Sequence, residues 1–320
     1  MSHGRKRLNG IEPITRYRQS LLDICLSVAC MLEDRCTHML LTPKEYAIGQ
    51  SATVQPEAIP LDLAERVEFA KVLGVGAETL TITHAPSLPI SSLDDITSYE
   101  ALTADPIKSM VAGSADYFAQ LKVELVLNVV RQRLRGRSHD TLRLLDVGCG
   151  PGELMRCLSE HFGHVFGCDP AKSMVRRAGT HALVMPSPTE IPVADSSIDV
   201  AICSCVCHHV EPEIRDAHLA EVKRVLRPGG LLLIFEHNPR NPLTQLIVRR
   251  CRIDANAHLL PAAHTRKLLD QAGLIDLTTK YYLFFPDRVR AYLQCLEPLL
   301  NYTGMGGQYM VCATKPELLK

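Results

Sequence analysis

The sequence predicts an α/β fold, a doubly wound and mainly parallel sheet with helices on both faces. Three observations carry that expectation. Leu144-Leu145-Asp146-Val147 is an apolar run ending in an acid, and it meets three glycines at spacing two, Gly148, Gly150 and Gly152. His164-Val-Phe-Gly-Cys-Asp169 repeats the pattern of a strand that ends in an acid. Further apolar runs of strand length follow at Asp199-Val-Ala-Ile-Cys203 and from Leu231 to Glu236.

The elements can be justified in chain order. Leu21, Leu22, Ile24, Cys25, Val28, Ala29, Met31 and Leu32 form an apolar helical stripe. A second amphipathic pattern runs from Leu61 to Leu73 and stops at Gly74-Val-Gly76, as a capped helix does. Residues 82–98 carry Pro86, Pro89 and several hydroxyl side chains and read as a connector. The division expected is therefore an N-terminal helical extension over 1–98, to which the sequence assigns no role and for which a small cap or a homodimer contact is the plain reading, and a main domain over 99–320. A helical region from Tyr99 to Arg135 opens that domain, with Leu121, Leu125, Val129 and Leu134 toward the core. Past the fifth strand, a helix over Thr265–Gln271 is followed by strands over Ile275–Phe284 and Gln308–Ala313.

The glycine turn is the chemical centre. Glycine permits close backbone approach and positive φ, and a helix opens at about Glu153, so the turn is a nucleotide-type cradle. A dinucleotide fingerprint from Gly148 would need glycine at 153, where Glu153 stands. The Lys-Ser/Thr pair of a P-loop is absent too, and no Lys or Arg falls between Leu144 and Met155. Asp146 suits a ligand with an ammonium group, and Asp169 can accept both hydroxyls of a ribose. An amino-acid end, a ribose and no phosphate describe S-adenosylmethionine.

Residues from about 140 to 275 resemble a class I S-adenosylmethionine-dependent methyltransferase. The glycine turn and Asp169 are followed in order by Glu190-Ile-Pro192-Val-Ala-Asp195-Ser-Ser-Ile-Asp199, similar to the family's "LPF-x-D-x-x-F-D" segment. Cys207-His208-His209-Val210 and Leu226-Arg-Pro228-Gly229-Gly230 come next. The resemblance implies a Rossmann-like, seven-stranded sheet with its last strand antiparallel. It places Asp146 near the amino group of the cofactor, Gly148, Cys149, Gly150 and Gly152 against it, and Asp169 on the ribose. Pro170 and Ser187 fall on the adenine side, and Ser204, which ends the fourth strand, completes the residues expected to bind the cofactor. Ser187-Pro188 departs from the family's acid-alanine pair, and Pro188 has no N–H to offer adenine. A narrower likeness covers Glu236-His237-Asn238-Pro239-Arg240-Asn241-Pro242 and Arg250-Cys251-Arg-Ile-Asp254-Ala-Asn-Ala257-His-Leu259-Leu260, found in a subset that modifies sugars and secondary metabolites.

Methyl transfer from a sulfonium needs an in-line nucleophile and exclusion of water. An oxygen nucleophile must also lose a proton, for which histidine is suited. His208, His209 and His237 are the candidates. On a helix His208 and His209 would point about 100° apart, so that one of them reaches the pocket.

Composition supports this. Thirty-five basic and 35 acidic residues balance, leaving no global field for nucleic acid. No apolar run reaches the roughly 18 residues of a membrane span. No secretory signal is evident, and with twelve cysteines this predicts reduced thiols in the cytoplasm. Cys203, Cys205, Cys207, His208 and His209 crowd together but lack paired C-x-x-C loops, so they read as a buried strand followed by a helix, with no metal. The expected activity is O-directed methylation of a small molecule. A non-catalytic S-adenosylmethionine-binding partner, or a protein or RNA methyltransferase using the N-terminal extension, are the alternatives.

Overall fold

The computed structural model describes residues 108, 111–112 and 116–317. The extension expected over 1–98 lies outside the described residues.

A seven-stranded sheet in the order β3-β2-β1-β4-β5-β7-β6 forms the centre. Its strands are β1 (Arg143–Val147), β2 (His164–Asp169), β3 (Ala182–Val184), β4 (Ile198–Ser204), β5 (Leu226–His237), β6 (Ile275–Tyr282) and β7 (Gln308–Thr314). The first five run parallel, and β7 inserts antiparallel between β5 and β6. This is the sheet that the resemblance implied. The helices are α1 (Tyr117–Arg133), α2 (Glu153–Ser159), α3 (Lys172–Ala178), α4 (Arg215–Val225), α5 (Pro242–Arg250), α6 (Ala262–Gln271), α7 (Asp287–Leu293) and α8 (Glu297–Leu300). Among the described residues no helix is long and apolar enough to cross a membrane.

Both faces of the central strands are buried, which is why they read as continuous apolar runs. Successive side chains alternate between two cores. Leu231, Leu233 and Phe235 of β5 join Leu144 of β1 and the helices α1 and α2 on one face. Leu232 and Ile234 join Leu145, Val147, Cys203 and Tyr309 under α4 and α6 on the other. In α1 Leu121 and Leu125 are buried as expected, but the deepest residues are Val126 and Val130, while Val129 and Leu134 are half-buried. β5 begins at Leu226, earlier than its apolar run, because Leu226 already pairs with Ile198.

The Glu236–Pro242 segment is fastened to the loop before β7. Asn238 donates through Nδ2 to the carbonyls of Gly304 (2.9 Å) and Gly306 (2.7 Å). Asn241 caps α5 by accepting from the Thr244 N–H at 3.0 Å, and Thr244 Oγ1 donates to the Gly307 carbonyl at 2.8 Å. These bonds fix the direction in which β5 delivers Glu236 and His237.

At the opposite end of the sheet, the buried Asp199 carboxylate accepts from Arg137 and Arg227 (2.8 Å each) and from the Arg143 N–H (2.9 Å). Burial opposes its ionisation, but these donors outweigh burial and hold its pKa below the ordinary value of 3.8. Asp199→Asn is expected to lower unfolding free energy by about 1–3 kcal/mol at neutral pH. Because the folded pKa is depressed, the loss is full above pH 3.8 and shrinks as pH falls through the folded value. Denaturant midpoints for both proteins at pH 7 and pH 3 check this.

Candidate functional site

The carboxyl ends of β1, β2, β4 and β5 converge on one side of the sheet, where open α/β sheets place their ligands. Between β1 and α2 the glycine turn is pinned to β2. The N–H groups of Gly148 and Cys149 both donate to the Cys168 carbonyl, at 2.7 and 3.0 Å. Gly148 has φ +74°, and a Cβ there would lie 2.5 Å from a methyl of Val206. Gly150 has φ +52°, but a Cβ on it would meet nothing within 4 Å. The turn is thus closed against protein at Gly148 and open to a guest at Gly150. Gly152 is the left-handed N-cap of α2, as expected for a helix opening at Glu153. Cys149 is buried against the turn, and burial pushes its thiol pKa far up.

Asp169 does more than the sequence implied. Its Oδ2 accepts from the Gly150 N–H and its Oδ1 from the Ala171 N–H, both at 2.9 Å. Burial raises its pKa, and these two N–H groups oppose the rise. Each oxygen keeps a lone pair for a further donor, so two hydroxyls fit without breaking the bonds present. Pro170 lies in the chain between Asp169 and its partner Ala171. Ser187 accepts from the Thr189 N–H at 3.3 Å and closes its own turn, while the Pro188 carbonyl accepts from His218 Nδ1 at 2.7 Å.

Asp146 is buried, and its Oδ1 has no hydrogen-bond partner. Burial pushes its pKa up to about 7, the Lys122 ammonium opposes that rise, and Asp169 adds to it. An orphaned carboxylate oxygen beside an open glycine cradle is what the ammonium and ribose of S-adenosylmethionine require, so the residues fit that cofactor. Lys122, reaching in from α1, donates to Ser204 Oγ at 2.7 Å and reaches Cys205 Sγ at 3.9 Å. The stretch Tyr117–Val123 resembles the entry helix of some methyltransferases, but nothing in it singled out Lys122.

The three histidines gather at the ends of β4 and β5. His208 and His209 lie in a turn rather than on a helix, because Cys205 takes a left-handed φ of +58° directly after β4. Their rings pack 4.2 Å apart, and the His237 ring lies 5.3 Å from that of His208. Asp254, from the loop after α5, brings Oδ1 to 3.4 Å from His208 Nε2 and 3.3 Å from His209 Nε2. Both rings thus converge on one carboxylate. His208 is fully buried and hydrogen-bonds through Nδ1 to Glu236, which is also fully buried. His209 keeps 31% of its side chain exposed.

Burial opposes charge on His208, but Glu236 and Asp254 outweigh it and raise its pKa well above the ordinary value. Conversely, Asp254 is held well below the carboxylate range by the neighbouring imidazoles, against the effect of burial. The Cys205 thiol is raised by burial but brought down to about 7 by Lys122 and His237. Arg215, the first residue of α4, holds the turn: Nε donates to the carbonyls of Cys207 (3.1 Å) and Val210 (2.9 Å) and Nη2 to that of His258 (3.3 Å). The His258 N–H in turn donates to the His208 carbonyl at 2.8 Å. Glu236 and Asp254 stood in the two narrower signatures, whereas Arg215 stood in no motif.

Comparison with known proteins agrees. Residues 145–234 match a family model described as a methyltransferase domain. Over 131 residues the chain is 34% identical to a malonyl-[acyl-carrier protein] O-methyltransferase of Serratia marcescens, covering 39% of this chain and 49% of that protein. Over 133 residues it is 32% identical to a probable tRNA methyltransferase 9B of Mus musculus, covering 40% and 29%. Over 106 residues it is 37% identical to a 24-methylenesterol C-methyltransferase 2 of Oryza sativa, covering 29% and 28%. The chain thus spans half or less of the length of these relatives. With the strand order, the glycine turn pinned by Asp169 and the matching family model, the chain carries a class I S-adenosylmethionine-dependent methyltransferase domain.

Proposed function

We propose that the chain transfers the methyl group of S-adenosylmethionine to an oxygen of a small-molecule acceptor and releases S-adenosylhomocysteine. The observation that carries this reading is the convergence of His208, His209 and Asp254 beside the cofactor cradle, with Glu236 behind His208. A carbon or sulfur acceptor already activated for attack has less need of such an acid–base cluster, whereas a hydroxyl or carboxyl oxygen must be deprotonated as it attacks. The Serratia relative is named as an O-methyltransferase, which supports the same choice.

When bound, S-adenosylmethionine supplies a methyl group on a positively charged sulfur. Asp146 would face its ammonium group, Asp169 its ribose and the Gly148–Gly152 backbone its body. Lys122 fixes Ser204 at the end of β4 and keeps Asp146 partly ionised. On the acceptor side, the half-exposed His209 meets the nucleophilic oxygen, and the histidine cluster takes its proton. His208 is a positioning residue, locked between Glu236 and Asp254.

The test is methyl-label transfer from S-adenosylmethionine to a panel of hydroxylated and carboxylated small molecules. His209→Ala should lower turnover by about 10²–10⁴-fold and leave cofactor affinity unchanged by calorimetry; an equal loss of affinity would put His209 on the cofactor side. Asp169→Ala should weaken S-adenosylmethionine binding by about 1–3 kcal/mol, and a calorimetric change below that range would remove its ribose role. Affinity should also depend on pH through Asp146, whose pKa of about 7 must fall when a cation binds beside it. Below pH 7 binding must release that proton, so affinity drops by up to about tenfold per pH unit, and above it the curve is flat. Asp146→Asn should abolish this slope in the same titration series.

A further inference from the structure

We propose that His208, His209 and Asp254 form a binding site for a divalent transition-metal cation of the zinc or iron type, set on the acceptor side of the cradle. His208 Nε2, His209 Nε2 and Asp254 Oδ1 come within 4.8 Å of one another. Two imidazole nitrogens and one carboxylate oxygen on a single face are a recognised donor set for such ions.

Two features separate this arrangement from an ordinary ion pair. The Asp254 Oδ1 to nitrogen distances are 3.4 and 3.3 Å, longer than the roughly 2.7–2.9 Å of a charge-assisted hydrogen bond. Bonds of about 2.0–2.1 Å to a tetrahedral ion put its ligand atoms about 3.3–3.4 Å apart, which matches. Secondly, His208 Nε2 is fully buried, lies at the cluster, and has no hydrogen-bond partner. Its nearest partner is the Asp254 carboxylate at 3.4 Å, and a cation between the two would satisfy both.

The surroundings are those of a metal ligand. His208 Nδ1 is engaged by the buried carboxylate of Glu236, the second partner that fixes the tautomer and orientation of a ligating histidine. Arg215 and the His258 N–H hold the backbone of the turn and of the Asp254 loop together, so the three ligands are set in place by folding. His209 and Asp254 retain 31% and 13% of their side-chain exposure, leaving an open direction for a fourth ligand. Three protein ligands and one open position are the pattern of a catalytic rather than a structural ion.

This site deepens the proposed function and rests on it for its role. A cation held there would bind the acceptor oxygen and lower its pKa; His209 would then act on that oxygen through the ion, and within the histidine cluster the released proton would pass to His237, whose ring lies 5.3 Å from that of His208. Sequence alone pointed away from metal because it weighed His208 and His209 with the nearby cysteines and not with Asp254.

The experiment is titration of the chelator-stripped full chain with Co²⁺ alone, followed by absorption and calorimetry. One equivalent should bind with ligand-field bands and no sulfur-to-cobalt charge transfer. His209→Ala and Asp254→Asn should each weaken binding by about 100-fold or more, with thermal midpoints reported beside them. His209→Gln replaces His209→Ala if the latter misfolds. Absence of binding overturns the site. So does binding that survives both variants but is lost in Cys207→Ser, which would move the ion to the buried cluster of Cys203, Cys207 and His218. S-adenosylmethionine is titrated into the same stripped sample. Intact cofactor binding without cobalt binding sinks the metal site alone, whereas loss of cofactor binding sinks the methyltransferase reading itself.

Discussion

The Asp169 carboxylate is the interaction on which the cofactor side depends. It stands at the end of β2 and accepts from the N–H groups of Gly150 and Ala171, so the glycine turn and the start of α3 are held by one side chain. The Cys168 carbonyl takes the neighbouring N–H groups of Gly148 and Cys149. The turn therefore has its shape before any ligand arrives, and the entropy of ordering it is spent in folding rather than in binding.

The acceptor side is built on a different principle. Its turn after β4 has no glycine and is forced into position by Cys205 at positive φ, then held by Arg215 from the next helix. A buried imidazole between two carboxylates is costly to assemble unless every member is fixed. Here β5 delivers Glu236, the loop after α5 delivers Asp254, and the Asn238 and Thr244 bonds keep both segments in register with the chain before β7. Lys122 and Ser204 stand at the boundary between the two halves.

What was legible in the sequence was what is local. The apolar runs marked the strands because both sheet faces are covered, and the glycine spacing marked the turn because few other residues tolerate its geometry. Asp169 was visible for the same reason, as an acid ending a strand. What comes together from afar was not visible. Lys122 meets Ser204 across 82 positions and Arg215 meets His258 across 43, and no periodicity records such a meeting. The expectation of a helix after β4 failed at one backbone angle, that of Cys205. The α1 stripe was displaced toward Val126 and Val130 because propensity locates a helix but only the opposing sheet decides which residues sink deepest.

The antiparallel insertion of β7 between β5 and β6 has a consequence for how the chain reaches this state. During synthesis the parallel half of the sheet, through His237, emerges before its neighbour Gln308–Thr314 exists. At roughly 5–20 residues per second, β5 spends several seconds as an apolar edge with unpaired backbone groups, an invitation to intermolecular pairing. The carbonyls that anchor Asn238 and Thr244 also arrive only with residues 304–307. The nascent glycine turn can therefore form early, while the acceptor cluster waits for nearly the last strand, and the interval between them is the stretch of biosynthesis in which this protein most needs shelter from its own copies.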